Sequence, residues 1–385
     1  MTAMEPFALY VHVPWCRHVC PYCDFNVYAA PTPPEARYVD GLTAELAAHA
    51  AAAPFASRAL KTLYLGGGTP SLFSPAAVGR VLAAAARHFG IAAGAEVTLE
   101  ANPGTVTRAS LTGYRATGVN RLSLGAQSFH AGRLRTLGRD HTPEDSRAAV
   151  EAARAAGIEN VSLDLIFAVL GQSIGVWEED LAAAVALEPL HVSAYSLTYE
   201  ERTPFHAWRA RGRLVPVSED DEATMADAAV ATLAGAGYER YEISSFARPG
   251  WAARHNLCYW DGSDYLGVGA GAHSFSRLPA PGLRWVNERA PERYLATVGA
   301  TGHAVAREEH LTEAQARAEF SFCGLRQAAG VDLGGFRTRF GVALEIAFPH
   351  VAGLINDGLV EPAGARLRLT ATGIRFADAV AASFV

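Results

Sequence analysis

Three cysteines close together near the start of the chain restrict its fold and chemistry more than any other feature. Cys16, Cys20 and Cys23 form a C-x3-C-x2-C motif directly after the first predicted strand, and they are three of the five cysteines in the chain. Three thiolates on one short loop can bind three irons of a [4Fe–4S] cluster, which leaves the fourth iron open for a substrate or cofactor. A zinc site usually takes four ligands in two separated pairs, with His18 as the available fourth ligand here. The clustering is a poor disulfide framework, so it favours an iron–sulfur cluster in a reducing cytoplasm.

Short β-rich segments alternate with alanine-rich helical segments up to about residue 200, which predicts an α/β fold with a parallel sheet. Six β–α units in a row favour a partial (β/α)6 barrel, with its functional loops at the carboxyl ends of the strands. The predicted strands cover residues 7–13, 62–66, 96–100, 121–125, 161–166 and 191–196. The predicted helices cover residues 34–52, 75–88, 107–117, 143–156 and 176–187.

The pattern changes after the barrel, and the chain is predicted to have three parts. Residues 1–215 form the partial barrel, residues 216–305 an additional α+β segment, and residues 306–385 a C-terminal winged-helix-like domain. The last part is predicted as three helices, a hairpin that turns at Gly364, and a final helix after Thr370. Winged helices often bind DNA, but the net charge of −6 and the lack of a basic helix favour a structural or partner-docking role without nucleic acid.

The composition excludes several classes of protein. Apolar residues make up 50% of the chain and charged residues 19%, which excludes a disordered chain or a coiled coil. No segment approaches the roughly 18 consecutive apolar residues that a membrane span needs. Residues 1–7 lack the basic start and apolar block of a secretory signal. We therefore expect a cytoplasmic protein.

A glycine turn and several polar side chains follow the predicted strands at the edge where such sheets bind ligands. The segment 66–69, Gly-Gly-Gly-Thr, allows the backbone to approach a ligand and is expected to present free N–H groups. Glu100, Gln127 and Asp164 lie at or just beyond strand ends, so they should point at the mouth of the barrel. The carboxylates can bind an amino group or ribose hydroxyls, and Arg139 can bind a carboxylate. Taken singly, each of these is more typical of a turn, a surface or a helix cap.

The cysteine loop resembles the signature of the radical S-adenosylmethionine (SAM) superfamily. In that superfamily the open iron is chelated by SAM, and an electron from the cluster cleaves SAM to a 5′-deoxyadenosyl radical. An ordered series of motifs along nearly the whole chain is similar to the group that contains oxygen-independent coproporphyrinogen III oxidase: LYVHVP at 9–14, GGGTP at 66–70, LEANP at 99–103, NRLSLGAQSF at 120–129, LGR at 137–139 and LDLI at 163–166. The resemblance implies contacts with SAM at Tyr10, Gly67, Gly68, Thr69, Glu100, Gln127, Arg139 and Asp164.

Two features resemble the heme chaperone subgroup, HemW, rather than the oxidase. Phe25 stands where the oxidase has another cysteine, and residues 255–260 match an H-N-x-x-Y-W motif. The resemblance implies a protein that binds heme and transfers it from a heme donor protein to membrane respiratory hemoproteins, with no catalytic residue assigned. It also implies peripheral association with the inner face of the membrane and leaves a homodimer open. The alternative is oxidase-type decarboxylation of coproporphyrinogen III, which Phe25 disfavours.

His255 is the heme ligand that the resemblance favours, because imidazole is a common axial ligand of heme iron. Cys258 could serve instead, or it could be a small buried apolar residue. Tyr259 and Trp260 offer flat faces for a porphyrin, or they brace the barrel. His273 is either a second heme ligand or a hydrogen-bonding group in a glycine-rich loop, and the sequence favours the latter.

One segment departs from the family pattern. After Asp164 the family usually has a glycine and a proline where this chain has Ala168, Val169 and Leu170. We expect the change to alter a loop beside the cofactor pocket.

Overall fold

Six parallel strands, paired in the order in which they occur along the chain, form the centre of the fold. The computed structural model describes residues 5–385, so the expectation for residues 1–7 lies partly outside the described residues. All six predicted strands are present, and their order confirms the predicted partial barrel. They are β1 (Phe7–Val13), β2 (Leu60–Gly67), β3 (Ile91–Ala101), β4 (Arg121–Gln127), β5 (Asn160–Phe167) and β6 (His191–Ser196).

Helices cover the outer face of these strands. Four of them begin after a serine or threonine whose hydroxyl accepts a backbone N–H of the first turn: Ser74, Thr107, Thr142 and Ser173. The helices are α1 (Glu35–Ala50), α2 (Pro75–Phe89), α3 (Arg108–Thr117), α4 (Ala131–Thr136), α5 (Pro143–Ala155) and α6 (Ile174–Ala186). The sequence did not predict α4, because a helix of 6 residues is too short to show a periodic apolar face.

The sheet continues beyond both edges of the six strands. The further strands are β7 (Glu239–Arg240), β8 (Ser245–Ala247), β9 (Tyr265–Val268), β10 (His273–Ser276), β11 (Leu283–Asn287) and β12 (Val305–His310). The resulting 12-stranded sheet has the order β12-β11-β10-β9-β1-β2-β3-β4-β5-β6-β8-β7. Because β9 pairs in parallel with β1, the aromatic and glycine-rich segment lies beside the strand that leads into the cysteine loop.

Four helices accompany this second half of the sheet: α7 (Pro204–Ala210), α8 (Glu219–Gly235), α9 (Arg254–Trp260) and α10 (Pro291–Thr301). One hydrophobic core runs from Phe7 of β1 to Trp285 of β11 and Val298 of α10. The predicted α+β segment therefore shares its sheet and its core with the barrel. The three-part division of the chain stays a prediction.

The C-terminal part has its own core, which includes Phe336, Val360 and Phe384. It contains the predicted series of helices, hairpin and terminal helix, and the hairpin turns at Gly364, whose φ is +63°. Its helices are α11 (Glu313–Arg326), α12 (Leu333–Phe340), α13 (Leu344–Ala347), α14 (Val351–Asn356), α15 (Ala371–Arg375) and α16 (Ala377–Ala382), and its strands are Val331–Asp332, Val360–Ala363 and Arg366–Leu369. Within residues 5–385, the helices are all too short or too polar to cross a membrane.

Candidate cofactor site

The three cysteines of the motif line one cavity of about 530 Å³ at the carboxyl ends of the parallel strands. Thr69 donates a hydrogen bond from Oγ1 to the sulfur of Cys16 over 3.3 Å. Arg139 donates from Nη1 to the sulfur of Cys20 over 3.6 Å. Donors of this kind stabilise a negatively charged sulfur, as a cluster ligand must be.

The spread of the thiols bears on the choice between an iron–sulfur cluster and zinc. Across residues 5–385, no three side chains of His, Cys, Asp or Glu converge closely enough to hold a single metal ion. His18, the fourth ligand of the zinc alternative, instead places Nε2 2.6 Å from the carbonyl oxygen of Gly138. In a [4Fe–4S] cluster each thiolate binds a different iron, so thiols spread around one end of a cavity suit it better than they suit one zinc ion.

The thiols are poorly solvated. Burial raises the pKa of Cys16 and raises that of Cys23 to about 12. Both thiols are therefore protonated at neutral pH until positively charged irons bind them, and assembly of the cluster releases protons.

The glycine turn after β2 has a different role from the predicted one. Its N–H groups are not free: Gly67 donates to a carboxylate oxygen of Glu100 over 3.0 Å, and Gly68 donates to the carbonyl of Val13 over 2.9 Å. The expectation that these groups would bind a ligand is thus wrong for this structure. The glycines are needed for close packing, because a Cβ on Gly67 would lie 2.4 Å from the imidazole of His12 and one on Gly68 would lie 2.6 Å from the carbonyl oxygen of Trp15. The turn therefore holds the cysteine loop against the sheet.

Two half-buried carboxyl groups and one buried arginine form the floor of the cavity. Glu100 accepts a hydrogen bond from the hydroxyl of Tyr64 over 2.7 Å, and burial raises its pKa to about 7. Asp164 accepts from Ser123 over 3.0 Å, and burial also raises its pKa. Arg121 is only 2% exposed, and its positive charge lowers the pKa of both acids. This effect offsets only part of the rise that burial causes. The floor thus offers acceptors for cationic or hydroxyl groups of a ligand.

Arg121 is a residue that the sequence analysis missed, although the sequence carried a signal for it. Along β4, alternate residues line the cavity: Arg121, Ser123, Gly125 and Gln127. Side chains of a strand alternate between its two faces. Because Gln127 was predicted at the barrel mouth, the other alternate residues of β4 could have been predicted on the same face. Further lining residues that the sequence analysis did not assign to the cofactor site are Tyr64, Asn102, Ser193, Tyr195 and Asn256.

The structure brings together most of the residues that the resemblance assigned to SAM. Lining the same cavity as the cysteines are Gly67, Gly68, Glu100, Gln127, Arg139 and Asp164. Thr69 is instead buried behind the cysteine loop, where its hydroxyl also accepts from Asn102 over 3.1 Å. Tyr10 lies behind Tyr64 and donates from its hydroxyl to Nδ1 of His12 over 2.9 Å.

The candidate heme ligands on α9 are buried and hydrogen-bonded. The ring of His255 is 2.9 Å from Thr62 Oγ1 at Nδ1 and 2.8 Å from the hydroxyl of Tyr259 at Nε2, and burial lowers its pKa to about 3. Ligation by either nitrogen would first break one of these hydrogen bonds. Cys258 donates back to the carbonyl of Arg254 over 3.2 Å, and it does not line the cofactor cavity. His255 as heme ligand stays a prediction.

A second cavity of about 420 Å³ adjoins the first and shares Asp24, Phe25, Gly67 and Glu100 with it. Tyr259 of the H-N-x-x-Y-W segment lines this second cavity, whereas Asn256 lines the first. Helix α9 therefore contributes a side chain to each cavity.

The altered loop after β5 makes its hydrogen bond within the loop and does not contribute side chains to the cofactor cavity. Ala168 has a φ of +56°, the left-handed region that favours glycine, and it is buried in the core. The side chain of Gln172 accepts from the backbone of Val169 over 3.1 Å and completes a tight turn. Of this region only Ile166 reaches the cavity, so the departure acts on the site through packing.

The residues present fit a cluster with SAM. Apart from the three thiols, two arginines that line the cavity, Arg121 and Arg139, each have a buried Nε–H without a hydrogen-bond partner among residues 5–385. A bound anionic or carbonyl group would satisfy these two buried donors. A sulfur-lined end with polar donors and acceptors beside it matches a cluster with an amino acid chelated to it.

Comparisons with known proteins agree with this arrangement of fold and site. The family model of the radical SAM superfamily matches residues 10–184, and the model of the HemN C-terminal domain matches residues 311–376. A solved structure, coproporphyrinogen III oxidase from Escherichia coli, superposes with a TM-score of 0.84 at 24% identity over 98% of this chain and 90% of that chain. That likeness concerns the fold. The fold and the site thus define a radical SAM protein, with a [4Fe–4S] cluster and SAM as its cofactors.

Curated relatives narrow this class. A heme chaperone HemW from Lactococcus lactis is 34% identical over 99% of this chain and 98% of its own length. HemW from Mycobacterium tuberculosis is 36% identical over 98% of this chain and 94% of its own, and HemW from Escherichia coli is 40% identical over 72% of each. The chain belongs to the HemW family.

Proposed function

We propose that this chain is a heme chaperone: it holds a [4Fe–4S] cluster and SAM in the barrel, binds heme, and passes heme to respiratory hemoproteins of the membrane. The observation that carries the proposal is the similarity over 98–99% of the chain to relatives named as heme chaperones. Phe25 supports it, because this position at the cavity rim has a phenyl ring instead of a further thiol.

The roles of the chain's residues at the cluster follow from their contacts. Cys16, Cys20 and Cys23 would hold three irons, with Thr69 and Arg139 donating hydrogen bonds to two of the sulfurs. These donors reduce the negative charge on the thiolates and exclude water from them. When bound, the cluster and SAM supply one-electron chemistry to the cavity.

The residues on the cavity floor would orient SAM. Glu100 and Asp164 would accept hydrogen bonds from its amino or ribose groups, and the unpaired Nε–H of Arg139 would bind a carboxylate. Tyr64 fixes one oxygen of Glu100 and so sets the direction of its free lone pairs.

The partners and the location proposed for the chain follow from the same family. Heme would come from a donor protein, and the chain would associate peripherally with the inner face of the membrane through the acceptor protein. The separate core of residues 318–384 supports a C-terminal unit that docks to partners. A homodimer is a further proposal, which size measurements with and without heme would test.

An anaerobic heme titration of the cluster-reconstituted protein tests the function, followed by transfer of the heme to an acceptor apoprotein. We expect a saturable one-to-one Soret change and transfer to a b-type respiratory apoprotein. Transfer that is no faster than from free heme would refute the chaperone. Conversion of coproporphyrinogen III in the presence of SAM and a reductant would establish the oxidase alternative instead.

A further inference from the structure

Neither the cluster nor SAM is assigned to the second cavity. This cavity has the features of a binding site for a flat, anionic ligand. Its volume of about 420 Å³ lies in the range of small-molecule sites, roughly 300–1,000 Å³. It is partly open to solvent, as a site that must release its ligand to another protein should be. The cavity is lined by Tyr10, His12, Asp24, Phe25, Asn26, Gly67, Glu100, Tyr259, Tyr265, Gly271, His273, Val286 and Arg289.

His273 is the histidine of this cavity with a free imidazole. It begins β10, its side chain is exposed, and its ring has no hydrogen-bond partner among residues 5–385. The two other histidines nearby are committed: His12 hydrogen-bonds through both ring nitrogens to Tyr10 and Asn26, and His255 likewise through both of its ring nitrogens. Only His273 can therefore bind iron here without breaking an existing contact.

Unpaired cations lie next to His273. Arg289 lines the cavity, is exposed, and forms no salt bridge within residues 5–385. The cross-strand register places His273 opposite Val286 and Val286 opposite Arg307, so the three side chains share one face of the sheet. An arginine held beside an open cavity without a carboxylate partner is suited to a carboxylate of a ligand.

The rim supplies a flat apolar surface. Phe25 is 65% exposed at the edge of the cavity, although a phenyl ring gains by burial. Tyr259 and Tyr265 also line the cavity and lie edge to face, with ring centroids 4.8 Å apart. Aromatic rings that line an open cavity offer flat apolar faces and edges for packing against a planar macrocycle.

We propose that heme binds in this second cavity, with His273 as axial ligand of the iron, Phe25 against the porphyrin face and Arg289 on a propionate. This proposal rests on the proposed function. Since the two cavities share a wall, heme lies beside the cluster and SAM site rather than within it. His255 is then a positioning residue, because its hydrogen bond of 2.8 Å orients the ring of Tyr259.

The test compares four proteins by anaerobic heme titration: the wild type, His273→Ala, His255→Ala, and His310→Ala as a matched control on an exposed histidine of β12. We expect His273→Ala to lose the spectral signature of imidazole ligation and to bind heme at least roughly tenfold more weakly. Added imidazole should restore the signature. His255→Ala should keep it with weaker binding, and His310→Ala should match the wild type.

Further variants separate ligation from structural damage. His273→Met keeps a side chain of similar size and should give a thioether-ligated spectrum at an unchanged melting temperature. Arg289→Ala should weaken the binding of heme but not that of its dimethyl ester, which lacks free propionates. Loss of imidazole ligation in His255→Ala, with an unchanged spectrum in His273→Ala, would overturn the proposed site while leaving the chaperone function intact. Absence of specific heme binding by the wild type would refute the function itself.

Discussion

At the scale of single residues, Gly67 shows how the chain fits the cysteine loop to the sheet. Its φ is +108° and an added Cβ would meet the His12 ring at 2.4 Å, so Gly67→Ala should cost at least about 2 kcal/mol and lower the iron content of the reconstituted protein. Gly299→Ala is the matched control, because Gly299 lies in α10 with nothing within 4 Å of its added Cβ. The control should gain roughly 0.5–1 kcal/mol. Urea unfolding and iron analysis would check both, and an iron content unchanged in Gly67→Ala would contradict the packing argument.

Glu45 is a second residue with a measurable signature. It is fully buried, accepts from Tyr294 over 2.6 Å and from Asn287 over 2.7 Å, and burial raises its pKa to about 7 from 4.5. Since the folded state holds the proton more tightly than the unfolded state, its contribution to stability is full below about pH 4.5. That contribution is lost as the pH rises through 7, by up to about 3 kcal/mol.

Glu45→Gln should therefore be about 1–3 kcal/mol less stable than the wild type at pH 5, because an amide group would face a donor. The difference in the free energy of unfolding between the two proteins should narrow by pH 8, since only the wild type titrates at this position. Urea unfolding at several pH values measures it, and groups common to both proteins, such as Glu100, cancel in the difference. Glu151→Gln, on the exposed face of α5, is the control. A gap that does not change with pH would contradict the assignment.

At the scale of elements, helix α9 depends on a residue far away in the sequence. Ala253 at its N-cap provides no side-chain hydrogen bond. Glu96 of β3 supplies it instead, accepting the N–H groups of Arg254 over 3.1 Å and His255 over 2.9 Å. Glu96→Ala should cost about 1–3 kcal/mol and speed hydrogen exchange in α9, whereas Glu96→Gln should retain part of the cap. Unchanged exchange in α9 would show that its tertiary packing alone fixes the helix.

The sequence predicted the elements far better than the contacts between them. The alternation of β-rich and helical segments indicated all six parallel strands, and the motifs indicated the three cysteines and six further residues that line the cofactor cavity. The cap from Glu96 and the use of the glycine N–H groups by Val13 and Glu100 could not be predicted, because each joins segments that the fold alone brings together. Periodicity identifies which face of a strand is buried but not what lies opposite it. For that reason the sequence analysis did not assign Arg121 to the cavity, although it placed Gln127, on the same face of β4, at the mouth of the barrel.

At the scale of the molecule, α9 connects three regions. Asn256 lines the first cavity, Tyr259 lines the second, and Trp260 packs under the guanidinium of Arg326 at 4.5 Å, on the first helix of the C-terminal part. Residues three and four positions apart share one face of a helix, so a displacement of α9 moves these three side chains together and reaches both cavities and the C-terminal part. A partner that docks on the C-terminal part could thus act on heme through this helix.

Trp260→Ala tests that connection. Removing the ring deletes the stacking with Arg326 and part of the contact between α9 and α11, which should cost about 2 kcal/mol and speed hydrogen exchange in α11 before it does so in the barrel strands. Heme binding should weaken while the iron content stays the same, because the cysteine loop is held by β1 and β2. Trp251→Ala is the control, as Trp251 is 41% exposed. Equal protection of α11 in wild type and Trp260→Ala would mean that the two parts are joined by other contacts, such as the ion pair of Arg284 with Glu319.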